Sequence, residues 1–306
     1  MSLAPIVLFV YNRLEHTRRT VAALQENALS KESDLYIYAD AARDIESENQ
    51  VNEVREYLKT IAGFKSVTIR LREQNLGVDA NVIQGVTEVV ERHGNIIVLE
   101  DDLVTSKWFL TYMNDALNFY QHEEQVVSIH GYLPPVKQQL KDVFFLKGAD
   151  CWGWATWKRG WDTFEPNGSV LLDRLKKKGL QSVFDFDGSY PYTQALKDQA
   201  EGKTTCWDIL WYAGSFLDNR LTLHPGKSLV NNIGHDNSGT HCEETKDYEV
   251  DLARNRVHVV TTVVHDEQAY KSFSEFFRTL PQYRVSKKSW LSRSFKQLKS
   301  AIRNRS

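Results

Sequence analysis

Three carboxylates follow one unbroken apolar run in this chain of 306 residues. The run covers residues 96–99, and Glu100, Asp101 and Asp102 come directly after it. Apolar residues without alternation predict a strand that is buried on both faces, as in a parallel sheet. Adjacent carboxylates repel one another unless a cation or solvent neutralises them, and such hard oxygen ligands suit Mg²⁺ or Mn²⁺. We therefore expect Asp102 to bind a divalent metal, the alternative being a solvated strand end.

The elements that must position these acids alternate along the first third of the chain. Apolar runs predict four strands at residues 5–11, 34–39, 66–71 and 95–99. Three- and four-residue spacings of apolar side chains predict intervening helices at residues 16–27, 51–61 and 79–92. We expect Asp79 to cap the last of these helices. Alternation of this kind predicts an α/β fold, with a mostly parallel, Rossmann-like central sheet flanked by helices.

Polar residues end three of the four predicted strands. Asn12 and Arg13 follow the first strand, Asp40 follows the second, and Glu100 begins the acidic end of the fourth. Because open α/β sheets bind ligands at the carboxyl ends of their strands, these side chains should gather around one site. The sequence has no Gly-rich dinucleotide fingerprint and no Walker loop. Arg13 and a metal on Asp102 are therefore the candidates to neutralise the phosphates of a nucleotide.

Aromatic and polar clusters mark the second part of the chain. Residues 151–161 contain four tryptophans, which either line a pocket for a flat ring or sugar face, with Trp154 among its residues, or pack in the core. Asp208 falls in the first turn of a predicted helix, where an acid also suits the helix dipole. A polar, Gly-rich loop follows, and it carries two candidate metal or diphosphate ligands, His235 and His241.

The composition is that of a globular chain, because 42% of the residues are hydrophobic and 11% aromatic, enough for a sizeable core. The three cysteines are too few and too scattered for a disulfide framework or a zinc site. Since the sequence does not start with a basic and apolar leader pattern, we expect a cytoplasmic location. Residues 284–306 carry eight of the 38 Lys and Arg residues and no acid. The remainder is therefore acidic, which argues against nucleic-acid binding.

The basic C-terminal segment is also amphipathic. Its apolar residues step by three and four along one predicted helical face, and they are Leu291, Phe295, Leu298 and Ile302, next to Trp290. A basic amphipathic helix with aromatic anchors is able to lie in the interface of an anionic membrane. We expect peripheral contact with the inner face of the membrane through this segment. The alternative is a terminal helix whose apolar stripe packs on the protein.

These stretches together resemble the nucleotide-sugar-dependent glycosyltransferases of the GT-A fold, and they look most like the N-acetylglucosaminyltransferase I family and its bacterial relatives. Four matches carry the resemblance: residues 5–13, residues 100–102, the Trp207-Asp208 pair with Trp211, and residues 224–239. The chain departs from the family at His224, where Arg is usual, and in the longer stretch between Asp102 and Asp208.

The resemblance implies a metal-dependent transfer of a sugar, with inversion, from a nucleotide-sugar donor to a hydroxyl acceptor in cell-surface glycan synthesis. Asp208 would act as the general base, and Asp102 would hold Mn²⁺ or Mg²⁺. The favoured donor is a UDP-sugar, and the favoured acceptor is a saccharide or a lipid-linked molecule. The implied donor-binding residues are Tyr11, Asn12, Arg13, Asp40, Glu100, Asp101 and Trp154, with His235 and His241 as additional candidates.

Three segments follow from this interpretation: a nucleotide-sugar-binding half at residues 1–105, an acceptor-binding and catalytic-base half at 106–270, and a basic amphipathic tail at 271–306. Two other functions stay open. A sugar nucleotidyltransferase usually carries a Gly-rich signature with Lys or Arg after its first strand, which residues 12–15 lack. A non-catalytic carbohydrate-binding protein would use the tryptophans, but it would leave the acidic strand end and Asp208 without a role.

Overall fold

A large β-sheet with helices on its faces forms the protein, in a computed structural model that describes residues 3–239 and 244–281. The strands are β1 (Ile6–Val10), β2 (Asp34–Ala39), β3 (Ser66–Leu71), β4 (Asn95–Glu100), β5 (Leu103–Thr105), β6 (Val126–His130), β7 (Val143–Lys147), β8 (Trp154–Trp157), β9 (Leu221–Pro225) and β10 (Val230–Asn232). The helices are α1 (Leu14–Gln25), α2 (Ile45–Leu58), α3 (Gly77–His93), α4 (Phe109–Phe119), α5 (Lys158–Trp161), α6 (Gly168–Lys178), α7 (Gln181–Phe184), α8 (Tyr192–Ala200), α9 (Trp207–Leu217) and α10 (Glu267–Phe277). Within the described ranges, no helix combines the length and the apolar composition that crossing a membrane requires.

Eight of these strands form one sheet in the order β3-β2-β1-β4-β8-β6-β9-β7, while β5 and β10 form a separate antiparallel pair. Strands β1 to β4 are parallel to one another, because a helix crosses over between each consecutive pair. Strands β7 and β8 run against the other six strands of the sheet. The predicted α/β class with a mostly parallel central sheet is confirmed.

The unbroken apolar runs form strands that are buried on both faces, as their sequence predicts. In β1, Ile6 and Leu8 pack on one side of the sheet, and Val7 and Phe9 pack on the other. Helices α1, α2 and α4 cover the first side, and α3 covers the second. Because neither face of β1 meets solvent, both alternating sets of side chains are apolar.

The second part of the chain extends the same sheet. Strand β8, with the sequence Trp-Ala-Thr-Trp, runs antiparallel between β4 and β6 and places Ala155 opposite Ile97. The sequence patterns predict no strand here, because four residues in a Trp-rich stretch are too few for periodicity to detect. The predicted division between residues 105 and 106 therefore falls within one continuous sheet.

Helices α6 to α10 pack around a second apolar cluster beside β7. In α10, Phe273 and Phe277 are buried, and the ring of Phe273 lies 6.2 Å from that of Phe144 in β7. The predicted boundary between residues 270 and 271 falls inside α10. The basic tail from residue 284 onward, and with it the predicted membrane contact, lies outside the described residues.

One predicted helix cap is wrong. Helix α3 begins at Gly77 with Leu76 as its N-cap residue, and Asp79 lies within its first turn. The Asp79 carboxylate accepts a hydrogen bond of 3.0 Å from the backbone N–H of Trp207. Asp79 therefore joins α3 to the start of α9, a long-range contact that no local sequence pattern encodes.

Candidate functional site

The carboxyl ends of β1, β2 and β4 lie side by side. β1 pairs in parallel with β2 on one side and with β4 on the other. The register of these pairs places Asp40 and Glu100 on opposite sides of the end of β1, and Arg13 follows as the N-cap residue of α1. The sheet therefore brings together polar side chains from three strands that are separate in sequence.

Arg13 links two of the three acids that follow β4. Its Nη2 atom donates a hydrogen bond to Asp101 and another, of 2.8 Å, to Oδ2 of Asp102. The exposed fractions of these side chains are 16% for Arg13, 5% for Asp101 and 13% for Asp102. Burial lowers the pKa of Arg13, but the two carboxylates more than offset that effect, so the guanidinium stays charged. Burial also raises the pKa of Asp101, against the opposing effect of Arg13.

Glu100 adds a third, partly buried acid to this cluster. Burial is the largest cause that raises the pKa of Glu100 to about 8, and the charges of Asp102, Asp208 and Asp101 add to it. Because both Asp102 and Asp208 act on Glu100, this side chain connects the acids after β4 with the start of α9. A cation bound here would relieve the excess of negative charge.

The loop that follows β10 covers the acid cluster. The backbone N–H of Ile233 donates a hydrogen bond of 2.8 Å to the carbonyl of Asp102, next to the pairing of β10 with β5. At Gly234, a Cβ atom would overlap Oδ2 of Asp102 and lie 3.1 Å from Nη1 of Arg13. Glycine is therefore the residue that lets this backbone lie against the ion pair. On α1, Nε2 of His16 lies 3.2 Å from the carbonyl oxygen of Ile233.

His235 lies within the described residues and is a candidate for a second metal ligand. Its Nε2 atom is buried without a hydrogen-bond partner, and Asp102 acts on the ring electrostatically. Burial lowers the pKa of His235, which favours the neutral imidazole that ligates metals. The part of the chain that the structure describes has no group of three or more His, Cys, Asp or Glu side chains able to hold a metal ion. The donors present fit a cation whose remaining ligands are substrate oxygens and water. The other candidate, His241, lies outside the described residues.

Asp208 lies in the first turn of α9, as predicted. Its Oδ1 accepts hydrogen bonds from the Cys206 thiol at 2.7 Å and from the Ile209 N–H at 3.0 Å, and Oδ2 accepts one from the Cys151 thiol at 3.4 Å. Burial, followed by the charge of Asp208, raises the pKa of both thiols. Both cysteines therefore stay protonated at neutral pH and fix the orientation of the carboxylate.

The tryptophan cluster fixes the start of α9. Trp154 is 1% exposed, and its ring centroid lies 5.8 Å from that of Trp161 and 5.7 Å from those of Trp207 and Trp211. This burial leaves Trp154 no ring face open to a donor, so most of the predicted aromatic pocket is core. Trp152, in contrast, is only half-buried.

Trp152 belongs to a second aromatic group, which is partly exposed. Its ring lies 5.4 Å from that of His235 and 5.5 Å from that of Tyr248. The rings of His235 and Tyr248 stack on each other at 4.8 Å. Because the charge of Asp102 acts on the His235 ring, this aromatic group borders the acid cluster. Half-buried rings in such a position suit the face of a sugar.

Three other predicted donor-binding residues make local contacts. Asp40 is 4% exposed, and its carboxylate accepts hydrogen bonds of 2.9 and 3.0 Å from backbone N–H groups at the start of α3. The Tyr11 hydroxyl accepts a backbone N–H at 3.2 Å, and Asn12 donates to a glutamine of α2 at 3.1 Å. Asp40 thus organises the turn that leads into α3.

Sequence reasoning missed a second carboxylate near Asp208. Oδ1 of Asp150 accepts a hydrogen bond of 2.8 Å from the N–H of Cys151, the residue whose thiol contacts Asp208. Behind it, the Nδ1 atoms of His130 and His224 are 3.3 Å apart, and the two rings are 1% and 4% exposed. The position of Asp150 directly before the Cys-Trp-Gly-Trp stretch was an available signal. The histidines lie on separate strands, so no spacing relates them.

A cavity of about 650 Å³ lies beside the β5–β10 pair. Its lining includes the cationic side chains of Arg19, Lys107 and Arg254. None of the described candidate residues lines it. The acid cluster is therefore distinct from this cavity.

Comparisons with known proteins give matches to solved structures. No protein-family model and no curated protein matches the sequence. The chain is similar to the mannosyltransferase PcManGT from Pyrobaculum calidifontis in complex with GDP-Man and Mn²⁺, with 10% identity and a TM-score of 0.32 over 43% of this chain and 36% of that one. It is similar to S. aureus TarS, with 13% identity and a TM-score of 0.40 over 74% of this chain and 36% of that one. It is also similar to a putative nucleotide-diphospho-sugar transferase from Desulfovibrio desulfuricans G20, with 14% identity and a TM-score of 0.32 over 55% and 68%. The match thus spans little more than a third of the first two proteins.

Proposed function

We propose that this chain is a metal-dependent glycosyltransferase that moves a sugar from a nucleotide-sugar donor to an acceptor hydroxyl with inversion. The observation that carries the proposal is the convergence of two groups at one edge of the sheet. One group is the buried cluster of Arg13, Asp101 and Asp102, and the other is Asp208 at the start of α9, with Glu100 between them. Inverting transfer needs these two parts, a site that neutralises a diphosphate and a positioned carboxylate.

Arg13 would stabilise the charge that develops on the leaving diphosphate. Its Nη2 atom already donates to Asp101 and Asp102, which fixes the plane of the guanidinium. Nη1 and Nε make no hydrogen bond within the described residues and would donate to phosphate oxygens, in the fork geometry for which arginine is suited. A fixed donor of this kind stabilises the transition state without having to reorganise when the bond breaks.

Asp208 would accept the proton of the acceptor hydroxyl. As the proton moves to the carboxylate, the acceptor oxygen attacks the anomeric carbon and the bond to the diphosphate breaks. One base and one displacement give inversion. The thiols of Cys206 and Cys151 hold the carboxylate in place, and geometry of this kind is what a general base requires.

Asp102 and His235 are the residues that would hold Mn²⁺ or Mg²⁺. The fit rests on a carboxylate amid excess negative charge and on the unpartnered Nε2 of His235. A bound metal would supply positive charge that neutralises the diphosphate. Glu100 and Asp101 would bind hydroxyls of the ribose and the sugar, while Tyr11 and Asp40 would border the nucleoside base.

The finer points of the proposal concern donor, acceptor and location. A UDP-sugar donor, a saccharide or lipid-linked acceptor and a role in cell-surface glycan synthesis remain part of it. The basic tail would bring the enzyme to an anionic membrane surface. Co-sedimentation with anionic vesicles tests the tail: the full chain should pellet, and a chain ending at Tyr283 should stay in the supernatant. Equal behaviour of the two forms would remove the tail from the proposal.

A panel of nucleotide sugars tests the reaction class. We expect at least one of them to raise the melting temperature in the presence of Mn²⁺ but not of EDTA, and to release its nucleoside diphosphate slowly. Binding without release would favour a non-catalytic carbohydrate-binding protein. Formation of pyrophosphate from a nucleoside triphosphate and a sugar phosphate would favour a nucleotidyltransferase.

A further inference from the structure

Asp150 and Asp208 lie on either side of one residue, Cys151. The Cys151 N–H donates a hydrogen bond of 2.8 Å to Oδ1 of Asp150, and its thiol lies 3.4 Å from Oδ2 of Asp208. The backbone and the side chain of one residue thus set the spacing of two carboxylates that are far apart in sequence. A pair of acids held in this way offers two acceptors to one ligand.

Asp150 is open to a ligand although protein surrounds it. Its side chain is 43% exposed, yet burial is the main cause that raises the pKa of Asp150 to about 6. Both observations hold for a carboxylate that reaches solvent while many protein atoms lie near it. Oδ2 of Asp150 lies 3.6 Å from Nδ1 of His130, which is beyond hydrogen-bond distance. This oxygen therefore keeps the capacity to accept a hydrogen bond from a ligand.

A rigid wall supports Asp150 from behind. Burial lowers the pKa of both His130 and His224 to about 3, so both rings are neutral at physiological pH. The ring of His224 stacks on Phe144 at 5.6 Å with an interplanar angle of 5°. Because the two rings are neutral, they do not form an ion pair with Asp150 that would hold its carboxylate toward the interior.

Aromatic side chains border the two carboxylates. Trp152 directly follows Cys151 and contacts Tyr248, with 5.5 Å between their ring centroids. Tyr190 is half-buried, and it interacts electrostatically with both Tyr248 and Asp208. The floor of this site is thus acidic and its sides are aromatic, which is the composition that binds sugar rings.

We propose that Asp150 is an acceptor-binding residue that accepts a hydrogen bond from the hydroxyl next to the one that Asp208 deprotonates. Trp152 and Tyr248 stack against the ring that carries these hydroxyls. The arrangement selects a pyranose with two neighbouring free hydroxyls as the acceptor. The inference rests on the proposed function, because it takes Asp208 as the base.

The test compares Asp150→Asn with the wild type on a panel of methyl glycosides and on the monodeoxy analogues of the best acceptor. Loss of a hydrogen bond to a charged group should raise the acceptor KM about ten- to a hundredfold. The rate of donor hydrolysis without acceptor should stay within about twofold of the wild-type value, and so should the affinity for the donor. Asp173→Asn, on the exposed face of α6, is the matched control and should change neither quantity.

The monodeoxy analogues identify the contact itself. In the wild type, removal of one hydroxyl next to the reacting one should weaken the acceptor as much as Asp150→Asn does. In Asp150→Asn the same removal should have no further effect. If the variant does not fold, the deoxy analogues measured with the wild type still test the inference. Equal use by the wild type of every analogue that lacks a hydroxyl next to the reacting one would overturn it. Loss of donor hydrolysis in Asp150→Asn would also overturn it, whereas a wild type that hydrolyses no donor would refute the proposed function instead.

Discussion

At the scale of single residues, the Asp102 carboxylate is only partly neutralised by its protein neighbours. Its Oδ2 accepts a hydrogen bond from Arg13, but the same guanidinium also neutralises Asp101, so the two carboxylates together keep an excess of negative charge. A carboxylate that is only partly neutralised still attracts a cation. The backbone at Gly234 lies directly against the Arg13–Asp102 ion pair, and a larger residue there would overlap it. Asp102 is therefore the protein group on which metal binding should depend most.

We predict that Asp102→Ala weakens the metal-dependent binding of a nucleoside diphosphate by more than about tenfold. Arg13 keeps its contact with Asp101 in this variant, so the fold and the phosphate contacts should survive. Titration calorimetry with Mn²⁺ measures the affinity, and Asp173→Ala on α6 provides the control. An affinity equal to that of the wild type would refute the metal assignment.

At the scale of elements, the tryptophans are a scaffold for the start of α9. Trp154 of β8 packs against Trp207 and Trp211 of α9, and Asp208 lies between those two residues in sequence. The backbone N–H of Trp207 is also tied to Asp79 of α3. The position of the proposed base therefore depends on packing against β8 and on a hydrogen bond to α3.

We predict that Trp154→Ala lowers the free energy of unfolding by about 3–5 kcal/mol, because it empties a fully buried site. Trp152→Ala is the matched variant, and it should cost less than about 2 kcal/mol because the Trp152 side chain is only partly buried. Urea denaturation followed by circular dichroism measures both. An equal loss in the two variants would mean that the cluster around Trp154 does not anchor α9.

The sequence predicts the first half of these elements well, and for a physical reason. β1 to β4 and the helices between them form from local apolar periodicity, and crossover helices force the strands to be parallel. β8 is not predicted because its four residues are too few for periodicity to detect. The acids after β4 and Asp208 were recognisable from neighbouring residues, whereas Asp150 and the histidines meet through the sheet alone.

At the scale of the whole molecule, one sheet joins the two predicted halves. β8 pairs with β4 on one side and with β6 on the other, and β9 pairs with β6. His130 of β6 and His224 of β9 lie within this second part of the sheet, almost without exposure. Because the sheet carries both the acid cluster and the histidines, the stability of the fold and the state of the site respond together to pH.

We predict that the histidine pair contributes a loss of stability when the pH falls. The pKa of His130 and of His224 is lowered to about 3, below the ordinary value of 6.5, so the unfolded chain binds more protons. Their contribution is fully present above about pH 6.5 and is lost as pH falls toward 3, at about 2 kcal/mol per histidine between pH 7.5 and pH 5. Glu100, with a pKa raised to about 8, and Asp150, with a pKa raised to about 6, act in the opposite sense and offset this loss. The contribution of the histidines is therefore measured as the difference between the wild type and a variant that lacks one of them.

Urea midpoints at pH 7.5 and pH 5 measure this effect. The variant His224→Phe keeps an aromatic ring stacked on Phe144 but has no group that titrates. Between pH 7.5 and pH 5, the change in its free energy of unfolding should therefore be more favourable than that of the wild type by about 2 kcal/mol. The same change in the free energy of unfolding in both proteins would show that the histidines do not contribute to the pH dependence.

The rate of sugar transfer by Asp208→Asn tests the central claim most directly. Amide replaces carboxylate at nearly constant shape, so the variant should fold and bind the nucleotide-sugar donor as the wild type does. Its transfer rate should fall by about a hundred- to ten-thousandfold, because the proton of the acceptor hydroxyl loses its acceptor. Full transfer activity in Asp208→Asn, at unchanged donor affinity, would contradict the account.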